Sequence, residues 1–320
     1  MTTKAIINGI ASYLPDRILS NDDLSKMVET SDEWILARTG IRERRIAAPE
    51  EFPSNMGIKA AKKLLQQTNT DAETIDLILV TTMTPDYLCP STAALIQGGI
   101  HATQAGACDL GAACSGYIYG LATSKAFIEA KIYRKILLIA SEKNSAFVDY
   151  SDRTTCILFG DGASATLITS ESPGLEIGAI DLAASGNEAH LLTIPGTGSR
   201  KGAQAFLEMN GKEIFKHAVR RMVESSLKCL KATNHTIEEI KWLVPHQANI
   251  RIIEALAKRL DVDLSRVAIT IDRFANTSAA TIPITLDLLM QRGEIEKDDL
   301  LLLSAIGGGL TWASATLTAI

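Results

Sequence analysis

Cys114, His246 and Asn276 are the residues of this 320-residue chain whose types and settings could together do chemistry. The chemistry they suggest is attack by a thiolate on an activated carbonyl, with neutral N–H donors beside it. Cys114 lies in Asp109-Leu110-Gly111-Ala112-Ala113-Cys114-Ser115-Gly116-Tyr117, where tiny neighbours let the chain turn from strand into helix and let a carbonyl approach closely. At a helix start, unpaired N–H groups and the positive end of the dipole predict a depressed thiol pKa. The competing reading of the same segment is a packed core thiol, since cysteine is among the most buried residue types.

A nucleophilic cysteine needs a partner. His246 opens Pro245-His246-Gln247-Ala248-Asn249 directly after the apolar run ending at Val244, and the C-terminal ends of strands are where α/β sheets bind ligands. Asn276, in Arg273-Phe274-Ala275-Asn276-Thr277-Ser278-Ala279-Ala280, could offer an amide donor or merely cap a helix. Each of the three stands just beyond a buried strand. His101, His190, His217 and His235 read as surface or structural residues, and Cys108, Cys156 and Cys229 as structural thiols. Cys89, in Cys89-Pro90-Ser91 ahead of a helix, could line a pocket.

The elements that must position these groups alternate. Apolar, branched runs at 75–82, 135–140, 157–169, 240–245 and 300–306 predict buried strands. Stretches at 54–67, 92–98, 115–130, 211–230, 250–260 and 279–291 predict helices, and the alternation predicts an α/β protein with mostly parallel sheets. An internal echo runs through it. Gly160-Asp161-Gly162-Ala163-Ser164-Ala165-Thr166-Leu167 corresponds to Gly307-Gly308-Gly309 followed by Ala313-Ser314-Ala315-Thr316-Leu317, and the strand at 75–80 corresponds to that at 240–245. Reuse of glycine-rich turns would account for this, as would a duplicated fold whose equivalent strand ends meet around one cleft.

Composition limits the alternatives. With 46% hydrophobic and 22% charged residues the chain can bury a large core. Five cysteines without a CxxC fit reduced thiols in a cytoplasm. Five histidines, none at HExxH spacing, give no reason to expect a metal. A formal charge of −5 argues against a general nucleic-acid binder; no apolar stretch is long enough to suggest a membrane span, and the N-terminus carries no secretory leader pattern.

The sequence closely resembles the β-ketoacyl-acyl carrier protein synthase III family of the thiolase-like superfamily over essentially its whole length. The resemblance rests on Asp32-Glu33-Trp34-Ile35 with Arg38-Thr39-Gly40-Ile41-Arg42-Glu43-Arg44, on Ala112-Ala113-Cys114-Ser115-Gly116, on Phe159-Gly160-Asp161-Gly162-Ala163, on His246-Gln247-Ala248-Asn249 and on Asn276-Thr277-Ser278-Ala279-Ala280. It implies a duplicated five-layered α-β-α-β-α fold, with a half at 1–172 carrying Cys114 and a half at 173–320 carrying His246 and Asn276. It also implies a homodimer and decarboxylative condensation of an acyl-CoA with malonyl-acyl carrier protein. Coenzyme A enters as a thioester substrate, with no further cofactor and no metal. Asn276 discriminates within the superfamily, since thiolases place a second cysteine there and chain-elongating synthases a second histidine.

Site roles follow from the resemblance. Cys114 accepts the acyl group, while His246 and Asn276 hold the enolate oxygen. The oxyanion hole combines the Cys114 N–H with one from the Gly307–Gly309 turn, expected at Gly309. Trp34, which alone could equally be a buried anchor, stacks adenine with Arg153; Arg38 meets the coenzyme A phosphates and Asn249 the pantetheine arm. Lys216 and Arg251, otherwise readable as solvated helix faces, form the rim that meets the acidic carrier. One departure stands out: Cys89 replaces a phenylalanine common in bacterial members, in a stretch that shapes the acyl pocket across the dimer. Acetyl is therefore the default starter, with branched or longer acyl-CoA and specialised metabolism left open. A noncatalytic carrier-binding scaffold is the rival from another class, and the retained Cys114, His246 and Asn276 speak against it.

Overall fold

The computed structural model describes residues 3–196, 199 and 206–320. Its strands are β1 (Ile6–Tyr13), β2 (Arg17–Ser20), β3 (Glu43–Ile46), β4 (Leu77–Thr81), β5 (Gly106–Leu110), β6 (Ile136–Lys143), β7 (Asp161–Thr169), β8 (Leu175–Ala184), β9 (Leu192–Thr193), β10 (Glu208–Met209), β11 (Ile240–Pro245), β12 (Leu300–Gly307) and β13 (Thr311–Ala319). Its helices are α1 (Asn21–Ser25), α2 (Asp32–Thr39), α3 (Pro53–Gln67), α4 (Thr92–Gly99), α5 (Gly116–Glu129), α6 (Gly211–Ala232), α7 (Ile250–Leu260), α8 (Ile271–Phe274) and α9 (Thr281–Gln291).

Nine strands hydrogen-bond in the order β11-β12-β13-β8-β1-β7-β6-β4-β5. The join between β8 and β1 is thin, with only Ile6 opposite Glu176 and Ile7 opposite Leu175. On either side of it the pairing repeats. β1, β7 and β6 run antiparallel to their neighbours and β4 and β5 then add in parallel; β8, β13 and β12 run antiparallel and β11 adds in parallel. Where the second arm would carry a counterpart of β5, Val267 makes an isolated parallel bridge to Leu243.

Helices α5 and α9 lie between the two arms, each touching strands of both. α3 and α4 cover the outer face of the first arm, while α6 covers that of the second with α7 packed against it. This is the duplicated α-β-α-β-α layering. The apolar core divides accordingly: one cluster joins Tyr117, Ile118 and Leu121 to Ile284, Leu286 and Leu303 between the arms. A second lies beneath α6 and α7, and a third beneath α3 and α4. A middle helix must be apolar on all sides and an outer one on one side only, and the sequence of α5 differs from that of α7 in this respect.

Two boundaries differ from the sequence expectation. The run at 157–169 becomes a strand only at Asp161, because residues 152–158 close local turns, with Cys156 N–H to Asp152 O at 3.0 Å and Leu158 N–H to Thr155 O at 3.0 Å. Ile157, Leu158 and Phe159 are buried in the second cluster instead. Conversely, β6 runs past Ala140 through Ser141, Glu142 and Lys143, all buried.

Among the described residues no helix is long and apolar enough to cross a membrane.

Candidate active site

β5 leads through Gly111 and Ala112 into a 3-10 turn, Ala113–Ser115, that feeds directly into α5. Ala113 sits at φ 45°, a left-handed conformation that costs a non-glycine residue roughly 1–3 kcal/mol and persists where the surroundings over-determine it. The surroundings here come from the end of β12 and the start of β13. Thr311 Oγ1 donates to Ala112 O at 3.0 Å and Ser115 Oγ donates to Thr311 O at 3.1 Å. Gly307 lies so close that a Cβ placed on it would stand 2.7 Å from the Cys114 nitrogen. Gly307→Ala is therefore expected to displace the Cys114 turn and cut activity at least tenfold, with a lower Tm; wild-type turnover in that variant would show that the turn yields freely.

The thiol differs from the helix-start expectation. Cys114 is 5% exposed, and burial pushes its pKa up to about 12, against a lowering from the Ser278 hydroxyl and from its own backbone N–H. Desolvation outweighs the helix end because the 3-10 turn buries the sulfur between the two halves of the core.

His246 follows β11, with its N–H on Ser304 O at 2.8 Å. Burial drives the imidazole pKa down to about 3, so the ring is neutral. Nδ1 lies 2.7 Å from Thr281 Oγ1. That hydroxyl also lies within donating reach of Ser278 O at 3.1 Å; when it donates to Nδ1 instead, the ring keeps its proton on Nε2.

Asn276 is stapled to the segment before β7: its N–H donates to Leu158 O at 2.9 Å and its carbonyl accepts from Gly160 N–H at 3.0 Å. Its Oδ1 accepts from Ser278 N–H at 2.8 Å. The helix-cap reading thus survives as a two-residue Asx turn, which commits the oxygen and leaves Nδ2 as the donor. Ser278, at φ 54°, is a second strained non-glycine residue beside the sulfur.

One cleft of about 740 Å³ gathers Cys114, His246, Asn276 and Gly307 with Trp34, Arg38, Lys216, Asn249 and Arg251. The outer residues are placed by α2 meeting α7. α2 is capped by Ser31 Oγ, which accepts from Trp34 N–H, and it ends at Gly40, φ 77°. A Cβ there would come within 2.7 Å of Ile250 Cβ, so the glycine serves both the left-handed cap and the close approach. Asn249 caps α7 by accepting from Arg251 N–H at 2.9 Å. Arg38 lies 4.4 Å and Arg153 5.0 Å from the centre of the Trp34 ring.

Arg153, Gly309 and Cys89 do not line this cleft. Arg153 reaches it through Trp34 and is held by Glu29 O at 3.0 Å. Of the glycine run, Gly307 faces Cys114, whereas a Cβ on Gly309 would meet only Thr311. Cys89 is exposed, beside Tyr87 and Leu88, which are 60% and 76% exposed. Lys216 Nζ pairs with Glu213 at 2.6 Å and Arg251 Nη2 donates to Ala37 O at 3.3 Å.

Three residues went unread in the sequence. Glu142, Ser278 and Thr281 lie directly behind Cys114, Asn276 and His246. The available signal was a carboxylate continuing a wholly apolar strand, a residue type that is almost never fully buried without cause. Among the described residues no group of three or more His, Cys, Asp or Glu side chains could hold a metal ion.

The chain matches the family described as 3-oxoacyl-[acyl-carrier-protein (ACP)] synthase III over residues 108–186 and its C-terminal counterpart over residues 230–319. It is 48% identical to the β-ketoacyl-[acyl-carrier-protein] synthase III of Chlamydia caviae, an alignment covering 98% of this chain and 96% of that one. The crystal structure of 3-oxoacyl-[acyl-carrier-protein] synthase III from Aquifex aeolicus superposes with a TM-score of 0.94 at 42% identity, covering 98% and 99% of the two chains. The priming β-ketosynthase of the R1128 polyketide biosynthetic pathway superposes with a TM-score of 0.93 at 32% identity, covering 99% and 97%.

Proposed function

The chain belongs to the 3-oxoacyl-[acyl-carrier-protein] synthase III family, and we propose that Cys114, His246 and Asn276 carry out the reaction of that family in it. The enzyme is an acyltransferase of fatty-acid synthesis that joins an acyl group from coenzyme A to malonyl-acyl carrier protein by decarboxylative Claisen condensation. The observation that carries the residue assignment is the convergence of one thiol and two neutral N–H donors at the floor of a single cleft.

Cys114 attacks the thioester carbonyl, and the negative oxygen that develops is held by the Cys114 N–H and an N–H of the Gly307–Gly309 turn. Coenzyme A leaves. Malonyl-carrier then enters and loses carbon dioxide, and its enolate oxygen accepts hydrogen bonds from His246 Nε2 and Asn276 Nδ2. Carbon–carbon bond formation on the acyl-cysteine frees the thiolate of Cys114 and releases the β-ketoacyl-carrier. A ring whose pKa is lowered to about 3 stays neutral and is a poor resting place for a second proton, and with the Thr281 hydroxyl donating to Nδ1 its Nε2 is the donor.

Trp34 and Arg153 stack the adenine, Arg38 meets phosphate and Asn249 the pantetheine arm. Lys216 and Arg251 at the rim steer the acidic carrier. Loss of a base-stacking ring costs roughly 1–3 kcal/mol, so Trp34→Ala is expected to raise KM for acyl-CoA about tenfold or more while kcat with saturating substrate stays within about twofold. An equal fall in kcat and kcat/KM would remove Trp34 from the binding role.

A homodimer is supported by exposed Tyr87 and Leu88 and by β5, an edge strand at one end of the sheet, both of which a partner would cover; Cys89 in that loop would then shape the partner's acyl pocket. Residues of both halves, 1–172 and 173–320, line the cleft. Five unpaired cysteines suit a reducing cytoplasm. The nature of the starter is the one branch with a second reading, favoured by the likeness to the R1128 priming enzyme: a branched or longer acyl-CoA in specialised metabolism.

Radiolabelled acetyl-CoA tests the assignment. Label should be found on the Cys114 peptide and chase into product on addition of malonyl-carrier; label elsewhere, or none while product forms, removes Cys114 as the acyl acceptor.

A further inference from the structure

We propose that Ser278 and Glu142 form the path by which Cys114 loses its proton during acyl transfer, with the Ser278 hydroxyl bridging the thiol to the Glu142 carboxylate. This rests on the reading of Cys114 as the acyl acceptor. The need for such a path is set by the site itself. A thiol pushed up to about 12 rests as the neutral acid, and its proton has to go somewhere as the sulfur bonds to carbon. His246 is unsuited: its ring is fully desolvated, Nδ1 is engaged by Thr281, and Nε2 is needed as a donor.

Behind the sulfur the geometry is different. The 113–115 and 278–280 turns pack against each other, the Ser278 hydroxyl lowers the Cys114 pKa, and its Oγ donates to Glu142 Oε1 at 3.0 Å. The other carboxylate oxygen, Oε2, accepts from Thr84 Oγ1 at 2.8 Å, Met83 N–H at 3.0 Å and Thr82 Oγ1 at 3.2 Å. Glu142 is 0% exposed, and burial raises its pKa to about 7 against the hydrogen bonds from Met83, Thr84, Ser278 and Thr82; it makes no ion pair among the described residues. Lys143, the next residue, turns away to Ala48 O and Pro49 O at 2.8 and 2.9 Å. The charge of Glu142 in turn helps to raise the Cys114 pKa.

A buried carboxylate without a counter-ion is a net liability to folding. So is the left-handed backbone of Ser278. Both liabilities meet within reach of one sulfur. That backbone also sets the Ser278 N–H on Asn276 Oδ1 at 2.8 Å, so one residue orients the amide donor with its main chain and contacts the nucleophile with its side chain.

The step balances. As Cys114 Sγ bonds to the acyl carbon, its proton passes to Ser278 Oγ while the Ser278 proton passes to Glu142 Oε1. The bond from the acyl carbon to the coenzyme A sulfur breaks, and the proton returns along the same path to that sulfur, leaving Glu142 ionised and coenzyme A as the thiol. Glu142 thus acts through Ser278 and does not touch substrate.

Two variants separate this from a scaffolding role. Glu142→Gln can turn its carbonyl to the Oε2 donors and its NH2 toward Ser278 Oγ, so the hydroxyl no longer has an acceptor for its proton. Ser278→Ala removes the bridge and keeps the main-chain N–H on Asn276. Alkylation of Cys114 by iodoacetamide, followed by mass spectrometry from pH 5.5 to 9, reports thiol activation without any acyl substrate. Coenzyme A release in a rapid-quench experiment reports acyl transfer, and product formation from enzyme acylated beforehand reports condensation.

In wild type the alkylation rate should rise through an inflection near pH 7, because the carboxyl accepts a proton only once ionised. In both variants the inflection should vanish and acyl transfer should slow by roughly 10²-fold, the usual scale of general base assistance, with condensation from acylated enzyme within about threefold. Unchanged acyl transfer with the wild-type pH profile in Ser278→Ala overturns the proposal, as does an equal slowing of both half-reactions with the inflection intact. If Glu142→Gln does not fold, Ser278→Ala alone decides. If the alkylation profile depends on both residues but acetyl-CoA never labels wild-type Cys114, the proton path stands and the acyl-acceptor reading falls.

Discussion

Cys114→Ala is expected to abolish β-ketoacyl-carrier formation, with a loss of roughly six orders of magnitude of the kind seen when a covalent nucleophile is removed. No other thiol can take over. Cys156 is 1% exposed and raised to about 11 by burial; Cys229 is 1% exposed and raised to about 12 by burial. Cys89 and Cys108 are exposed and lie outside the cleft, whose lining contains Cys114 alone of the five. Release of carbon dioxide from malonyl-carrier should persist in the variant, because His246 and Asn276 keep their contacts to Thr281 and Ser278. Product by mass spectrometry and carbon dioxide from labelled malonyl-carrier therefore give opposite answers on one protein. Measurable condensation by Cys114→Ala would sink the acyl-cysteine mechanism, and loss of both signals with an intact fold would tie decarboxylation to the sulfur.

Cys114 and His246 were legible because each follows a strand and precedes a helix, a local pattern that one chain displays without its neighbours; Asn276 instead follows the short helix α8 and reaches the site through an isolated bridge to Phe159. The duplication was legible for a related reason: the small-residue runs after Phe159 and after Ile306 lead into β7 and β13, which hold the same place in the two arms of the sheet. What could not be read is whatever depends on distance between segments. The protonation state of Cys114 is the clearest case. A helix start suggested a lowered pKa, yet burial against β12 and the 278–280 turn raises it to about 12, and burial is a property of packing. A Cβ on Gly307 would meet the Cys114 nitrogen while one on Gly309 would meet Thr311, a difference among three identical residues that only register can make. Glu142 escaped notice because its strand was ended at Ala140, where the apolar pattern stops; the strand continues because Thr82, Met83, Thr84 and Ser278 satisfy the carboxylate from other parts of the chain.

The same buried pair governs how the fold responds to pH. Glu142, with a folded pKa raised to about 7 from 4.5, binds a proton more readily in the folded state, so its contribution to stability falls as pH rises from about 4.5 to 7. His246, lowered from 6.5 to about 3, binds a proton more readily when unfolded, so its contribution rises with pH over about 3 to 6.5. Between roughly 4.5 and 6.5 the two slopes oppose each other. Within that window both costs are partly present and their changes with pH offset, so these two groups together leave stability nearly level there.

Asn276→Asp should damage decarboxylation more than the loss of a single donor does. Removing one such donor costs about 3 kcal/mol, or two orders of magnitude; aspartate also sets a negative charge where the enolate oxygen develops, so a fall of roughly 10³-fold or more is expected near pH 8. The substitution is nearly isosteric. Oδ1 can still accept from Ser278 N–H, and the main-chain bonds to Leu158 and Gly160 are untouched, so the cause is the lost N–H and not a collapsed turn. The sign of the pH response distinguishes the two. Asn276 is 6% exposed, and burial of a carboxyl in its place raises its pKa. Below that pKa the acid is neutral and its O–H can donate, so activity of the variant should recover as pH falls. Carbon dioxide release must be followed from enzyme acylated beforehand, because the acyl-transfer step is expected to weaken in the same direction as Glu142 takes up its proton. A variant that is equally slow at every pH would mean that Asn276 holds the 276–278 turn and gives nothing to the enolate.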